Sequence, residues 1–155
     1  MSKASPDYTS LMRRSLEILR SEPDGTALQR VCDYLRAAVP HYDWFGFYIA
    51  VPADRVLVLG PFAGADTDHV RIRYGEGICG QAAEREETFR VDDVSAQSNY
   101  LSCSIHVKSE IVVPIIRDGE VLGEIDIDSH TRDAFTADDQ RSEERRVGKE
   151  CPSPC

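Results

Sequence analysis

The sequence predicts an α+β domain built on an antiparallel β-sheet. Three observations support this fold class. Apolar residues recur at helical spacing near both ends of the chain, aromatic and β-branched runs fill its middle, and short turns join most of those runs, as in hairpins. A chain of 155 residues is long enough for one domain and too short for two ordinary ones.

The first 40 residues are predicted to form two helices. Ser5 and Pro6 suit a helix start, and the break SEPDG at 21–25 separates that helix from the next. Thr26 and Gln29 have the spacing of a capping box for the second helix. Its apolar stripe consists of Leu28, Val31, Cys32, Leu35, Ala38 and Val39.

From residue 43 the pattern changes to that of strands. The predicted strands are WFGFYIAV from residue 44, RVLVLGPF from 55, HVRIRY from 69, TFRVDDV from 88, and the two arms of SEIVVPIIRDGEVLGEIDIDS from 109. Asp118 and Gly119 form a strong turn signal between those two arms. A short helix, GICGQAAERE from 77, follows a glycine-rich turn.

A last helix is predicted to begin at Thr136, the N-cap, with Asp139 at its third position. The apolar residues that should continue this helix are missing, because 141–155 reads RSEERRVGKECPSPC. We therefore predict a domain at 5–140 with a truncated last helix. We interpret 141–155 as a non-native tail, of the kind that sequencing-adapter read-through produces.

Charge and composition exclude several function classes. The net charge of -9 argues against a nucleic-acid or anionic-membrane surface, because both are polyanions. No apolar run approaches the roughly 20 residues of a membrane span, and the first ten residues lack the apolar core of a signal peptide. We expect a cytoplasmic protein whose cysteines are reduced thiols.

Three cysteines precede the predicted tail, in different settings. Cys32 lies on the apolar stripe of the second helix, which favours a packing role. Cys79 begins a short helix, where a thiol pKa is lowered, but it could equally be a packed small residue. Cys103 lies in a polar loop and is the best candidate for a reactive thiol.

Acidic residues concentrate on the last predicted hairpin. Asp126 and Asp128 alternate with Ile125 and Ile127, so the two carboxylates should share one sheet face, and Glu110 begins the partner strand. A solvated strand face is the simple interpretation. Because like charges on one face repel, the cluster could instead hold an ammonium group or a metal. We expect no metal, since the histidines are scattered.

These residues together resemble a GAF domain, and specifically the free methionine-(R)-sulfoxide reductase family. The resemblance covers about residues 8–140. It rests on DWFGFY at 43–48, LVLGPFAG at 57–64, GEGICGQAA at 75–83, Cys103 followed by KSEIVVPI at 108–115, and LGEIDIDS at 122–129. It implies a GAF-type antiparallel sheet with helices packed on its faces.

The resemblance also implies roles for individual residues. Cys103 would attack the sulfoxide sulfur, and Cys79 would take part in thiol exchange. The substrate would be bound by Trp44, Tyr48, Glu110, Asp126 and Asp128. The resemblance implies no cofactor, thioredoxin or a similar thiol reductant as electron donor, and free methionine sulfoxide as substrate. A homodimer is compatible with it.

Two positions depart from the family pattern. His69 stands where the family usually has a resolving cysteine, and Ser104 stands where Asp usually follows the nucleophile. Cys79 or an external thiol would then have to regenerate Cys103. The alternative is a non-catalytic GAF domain that binds a small molecule as a sensor.

Overall fold

The computed structural model describes residues 6–21, 26–97 and 106–148. The elements, in chain order, are α1 (Tyr8–Ser21), α2 (Ala27–Ala38), β1 (Trp44–Val51), β2 (Val56–Ala63), β3 (Arg71–Arg73), α3 (Gly77–Arg85), β4 (Phe89–Val91), β5 (Ser109–Arg117), β6 (Glu120–Ser129) and α4 (Ala137–Arg146), with a 3₁₀ turn at Val94–Ala96 before β5.

The strands form one antiparallel sheet in the order β3-β2-β1-β6-β5-β4. The predicted α+β class and the antiparallel sheet are confirmed. The β5–β6 hairpin turns at Asp118 and Gly119, both with positive φ (52° and 77°), which is the backbone geometry that this dipeptide favours. No helix among the described residues is long and apolar enough to cross a membrane.

The two faces of the sheet are chemically different because side chains alternate along each strand. One face presents Phe45 and Phe47 of β1 with aliphatic residues of β5 and β6, and packs against α1, α2 and α4. The other face presents Trp44 and Tyr48 and packs against α3. Ile125 and Ile127 lie on the first face, as the alternation predicts.

Several details differ from the sequence predictions. β3 has three residues, Arg71–Arg73, rather than the six of HVRIRY, and β4 has three, Phe89–Val91, rather than the seven of TFRVDDV. The capping box at Thr26 does not form, because its backbone is helical and its side chain makes no capping hydrogen bond, while Gln29 donates to the carbonyl of Phe62 at 2.7 Å. Helix α4 continues past residue 140 to Arg146.

Helix α4 is held by polar contacts where an apolar stripe was expected. Glu143 is buried and accepts a hydrogen bond from the Tyr42 hydroxyl at 3.1 Å. Its other carboxylate oxygen lies 2.8 Å from Nε of Arg146. These contacts explain why the helix extends although it lacks apolar residues at helical spacing. That 141–155 is a non-native tail stays a prediction.

Candidate active site

The register of the three central strands gathers acidic side chains on the sheet face that α3 covers. Glu124, Asp126 and Asp128 alternate along β6 and therefore share this face. Glu110 of β5 pairs with Asp128. On the other side of β6, Tyr48 of β1 pairs with Glu124, and residues 46 and 44 pair with Asp126 and Asp128.

All four carboxylates are buried. The exposed fraction is 4% for Glu110, 0% for Glu124, 1% for Asp126 and 2% for Asp128. The predicted convergence of Glu110, Asp126 and Asp128 is confirmed, but the simple interpretation of a solvated strand face is wrong. Helix α3 closes over these residues and removes them from water.

Cys79 joins this cluster from α3. Its Sγ lies 3.9 Å from Oε2 of Glu110. The sulfur and one carboxylate oxygen from each of Glu110 and Asp126 all lie within 4.8 Å of one another. Glycine at position 80 lets α3 pack closely on the turn that precedes it, because a Cβ there would lie 2.4 Å from the carbonyl oxygen of Arg73.

Burial raises the pKa of Asp126, and it raises the pKa values of Glu124 and Asp128 well above the ordinary range, with the charge of Asp126 adding to the effect on both. Burial, followed by the charges of the four carboxylates, also raises the pKa of the Cys79 thiol well above its usual value. The lowered thiol pKa expected at a helix start is therefore wrong here. Burial and like charge outweigh the helix N-terminus.

A small cavity lies beside the cluster. Its polar lining consists of Tyr48, His69, Glu76, Cys79, Glu110 and Asp126, and residues of α3 and β3 supply the rest. The Tyr48 hydroxyl donates to the carbonyl of His69 at 2.9 Å and so fixes that wall.

Trp44 lies in a neighbouring cleft that it shares with Asp128, His106 and His130. Its ring stacks on Phe62 with centroids 5.3 Å apart, and its indole N–H donates to the carbonyl of Ala65 at 3.0 Å. The ring lies over β1 where residue 46 is glycine, and a Cβ there would lie 2.4 Å from it. The predicted substrate-binding residues thus line two adjoining pockets.

Of the other two cysteines that precede the predicted tail, the structure describes only Cys32. Cys103, the predicted nucleophile, lies outside the described residues. Cys32 is fully buried in α2, with its sulfur 3.5 Å from the carbonyl oxygen of Pro61. Burial raises its pKa to about 12, so its predicted packing role agrees with its surroundings.

Sequence reasoning missed Glu124 and did not place His69 at the cavity. The signal for Glu124 was present, because it precedes Asp126 by two residues and must share its face. His69 precedes β3, and its carbonyl accepts from the Tyr48 hydroxyl at the cavity wall, a contact between separate segments of the chain that no local pattern could have placed.

Comparison with known proteins places these features in a family. Residues 25–142 match the family described as GAF domain. The chain is 33% identical over 135 residues to the free methionine-R-sulfoxide reductase of Escherichia coli, covering 87% of this chain and 76% of that protein.

Two solved structures have the same fold. The free methionine-R-sulfoxide reductase of Neisseria meningitidis, in complex with its substrate, superposes with a TM-score of 0.82 at 31% identity over 96% of this chain and 90% of that one. A putative GAF sensor protein from Burkholderia vietnamiensis superposes with a TM-score of 0.84 at 32% identity over 92% and 89%.

Proposed function

Because the chain belongs to the GAF-domain family and, within it, to the free methionine-R-sulfoxide reductases, which are oxidoreductases, we propose that it reduces free L-methionine-(R)-sulfoxide to methionine at the expense of thiols. The observation that carries this proposal is the buried cluster of Glu110, Asp126 and Asp128 beside a cavity.

The cluster suits the ammonium group of a free amino acid. None of the residues that line the cavity beside Glu110 and Asp126 is a lysine or an arginine, so the described cavity wall supplies no strong cation of its own. A charge-assisted hydrogen bond from an ammonium group would offset the cost of burying these carboxylates. A methionine residue within a peptide has no ammonium group to offer.

The proposed chemistry begins at Cys103. Its sulfur attacks the sulfoxide sulfur, the sulfoxide oxygen passes to the thiol as a sulfenic acid, and methionine is released. Cys79 condenses with the sulfenic acid, forming a disulfide and water. Thioredoxin or a similar dithiol then reduces the disulfide, so that two electrons enter for each sulfoxide reduced.

The carboxyl groups also supply a proton to the sulfoxide oxygen as the S–O bond weakens. Carboxylates that are buried close together cannot all ionise, so one of Glu110, Asp126 and Asp128 holds a proton that it can donate. Tyr48 and Trp44 would contact the methyl and methylene groups of the substrate from the aromatic walls.

The direct test is an assay of the full chain with dithiothreitol and free methionine sulfoxide. We expect consumption of the R epimer, with the S epimer and peptide-bound sulfoxide left intact. Cys103→Ser should abolish turnover and leave the circular dichroism spectrum unchanged. If the folded protein consumes neither epimer, the sensor alternative is favoured, and turnover by Cys103→Ser would overturn the nucleophile assignment.

A second experiment tests the carboxylates. Asp126→Asn should raise KM by about tenfold or more, because a charged partner of the ammonium group is lost. The control is Asp118→Asn, at the turn of the same hairpin, where the side chain is exposed and asparagine tolerates the positive φ. An unchanged KM in Asp126→Asn would remove this residue from the binding site.

A further inference from the structure

Three side chains at the cavity beside the carboxylate cluster bring possible metal-ligand atoms close together. Sγ of Cys79 and one oxygen each of Glu110 and Asp126 lie within 4.8 Å of one another. Zinc–sulfur and zinc–oxygen bonds of about 2.3 and 2.0 Å at a tetrahedral angle place sulfur and oxygen about 3.5 Å apart. The observed Sγ–Oε2 distance between Cys79 and Glu110 is 3.9 Å, so this pair is already close to the separation that a zinc site requires.

A second observation points to a cation in this cavity. Asp126 is 1% exposed, lines the cavity, and has an Oδ1 atom that makes no hydrogen bond to any described residue. Buried polar atoms in native proteins are normally satisfied, so this oxygen at the cavity wall points to a positively charged occupant.

We propose that the cavity binds one thiophilic divalent cation of the zinc class, held by Cys79, Glu110 and Asp126. One thiolate and two carboxylates suit Zn²⁺ better than Mg²⁺ or Ca²⁺, which prefer oxygen ligands alone. Binding releases the thiol proton to solvent. Three protein ligands leave a fourth position open, as in zinc sites that exchange a bound molecule.

This site forms without the scattered histidines that made a metal the less favoured prediction from sequence. His69 lines the same cavity but does not belong to the group of converging ligand atoms. Zinc and an ammonium group need the same carboxylate oxygens and cannot bind together. Zinc would therefore inhibit the reductase, a consequence that rests on the function proposed above, whereas the binding itself does not.

Cobalt(II) replaces zinc in such sites and reports a bound thiolate through a sulfur-to-metal charge-transfer band. The reduced full chain is titrated anaerobically with Co²⁺ and then with Zn²⁺. We expect one equivalent of Co²⁺ to give the band and Zn²⁺ to remove it. Cys79→Ser should abolish the band, whereas Cys32→Ser, a buried cysteine with its sulfur against Pro61, should keep it.

Cys103→Ser separates this site from a metal bound by the predicted nucleophile, and it should keep the band. Asp126→Asn should weaken Co²⁺ binding by about tenfold or more, and Asp118→Asn should leave it unchanged. No band at up to about 1 mM Co²⁺ overturns the proposal, as does a band that survives Cys79→Ser. If Cys79→Ser does not fold, unchanged affinity in Asp126→Asn overturns it as well. None of these measurements requires turnover, so they remain informative if the chain proves to be a sensor.

Discussion

At the scale of single residues, the alternation along β6 predicted the position of the carboxylates but not their burial. Asp126 and Asp128 share a face because side chains alternate, and a local pattern can show that much. Whether that face meets water depends on α3, which packs onto it from another part of the chain. The same tertiary packing raises the pKa of Cys79, which its helix-start position alone would lower.

Glu124 offers a test of this burial. Its carboxyl group is fully buried, beside Asp126 and the Cys79 thiol. Glu124→Gln keeps the shape and removes an acidic group whose ionisation burial and Asp126 both disfavour. We expect the free energy of unfolding at pH 7 to rise by about 1 kcal/mol in urea denaturation.

The matched control for that change is Glu120→Gln, at the exposed start of the same strand. It should alter stability by less than about 0.5 kcal/mol. A clear loss of stability in Glu124→Gln would show that the carboxylate has a structural partner.

The proposed exchange role of Cys79 gives a second prediction at this scale. An internal disulfide with Cys103 requires the two Cα atoms to approach within about 7 Å. Cys79→Ser should keep activity with dithiothreitol, which reduces a sulfenic acid directly, and lose activity with thioredoxin. Cys32→Ser should keep both activities. Equal activity of Cys79→Ser with both reductants would leave Cys79 without a role in regeneration.

At the scale of elements, strands with strong local signals were predicted nearly to the residue, and elements fixed by distant contacts were not. β1 and the β5–β6 hairpin follow their aromatic, aliphatic and turn residues. The capping box forms at Thr136, where the side chain accepts from the Asp139 amide, but not at Thr26. Both sequences fit the motif, so the backbone conformation at the cap decided between them.

Asp139 links α4 to Tyr8 of α1 and to His41, and its ionisation predicts that the stability of the fold depends on pH. It accepts hydrogen bonds from the Tyr8 hydroxyl at 2.8 Å and the Thr136 amide at 2.9 Å, and Nε2 of His41 lies 3.0 Å away. Burial alone would raise its pKa, but these partners, His41 foremost, lower the pKa below the ordinary value of 3.8.

A carboxyl group whose pKa is lowered in the folded state stabilises the fold at pH values above its pKa in the unfolded chain. This stabilisation is lost as the pH falls through the pKa of the group in the folded state. Asp139→Asn should therefore cost about 2 kcal/mol at pH 7 and much less at about pH 3. Asp138→Asn, an exposed neighbour in the same helical turn, is the control for urea denaturation at both pH values. A cost that does not change with pH would contradict the ionic role of Asp139.

At the scale of the whole molecule, the sheet separates two environments. Its apolar face packs against α1, α2 and α4 and forms the larger core, which anchors the strands. The opposite face carries the carboxylate cluster under the short helix α3. A site that buries several acidic groups needs such an anchor, because like charges at close range destabilise the sheet that carries them.

The C-terminal boundary of the domain can be tested by truncating the chain within α4. Truncation after residue 140 removes Glu143 and Arg146, an ion pair that is 1% and 4% exposed and that contacts Tyr42 and Ser15. The Tyr42 hydroxyl would keep only its longer contact to Asp139, at 3.3 Å. The free energy of unfolding of chain 1–140 should therefore be about 3 kcal/mol lower than that of the full chain.

The matched control is chain 1–148, which keeps all of α4 and should match the full chain within about 0.5 kcal/mol in urea denaturation. Equal stability of 1–140 and 1–148 would support a domain that ends at residue 140, as the sequence predicts. The expected difference would move the boundary to the end of α4. The two outcomes separate because the Glu143–Arg146 ion pair is buried, and a buried pair cannot be removed from a packed structure without loss of stability.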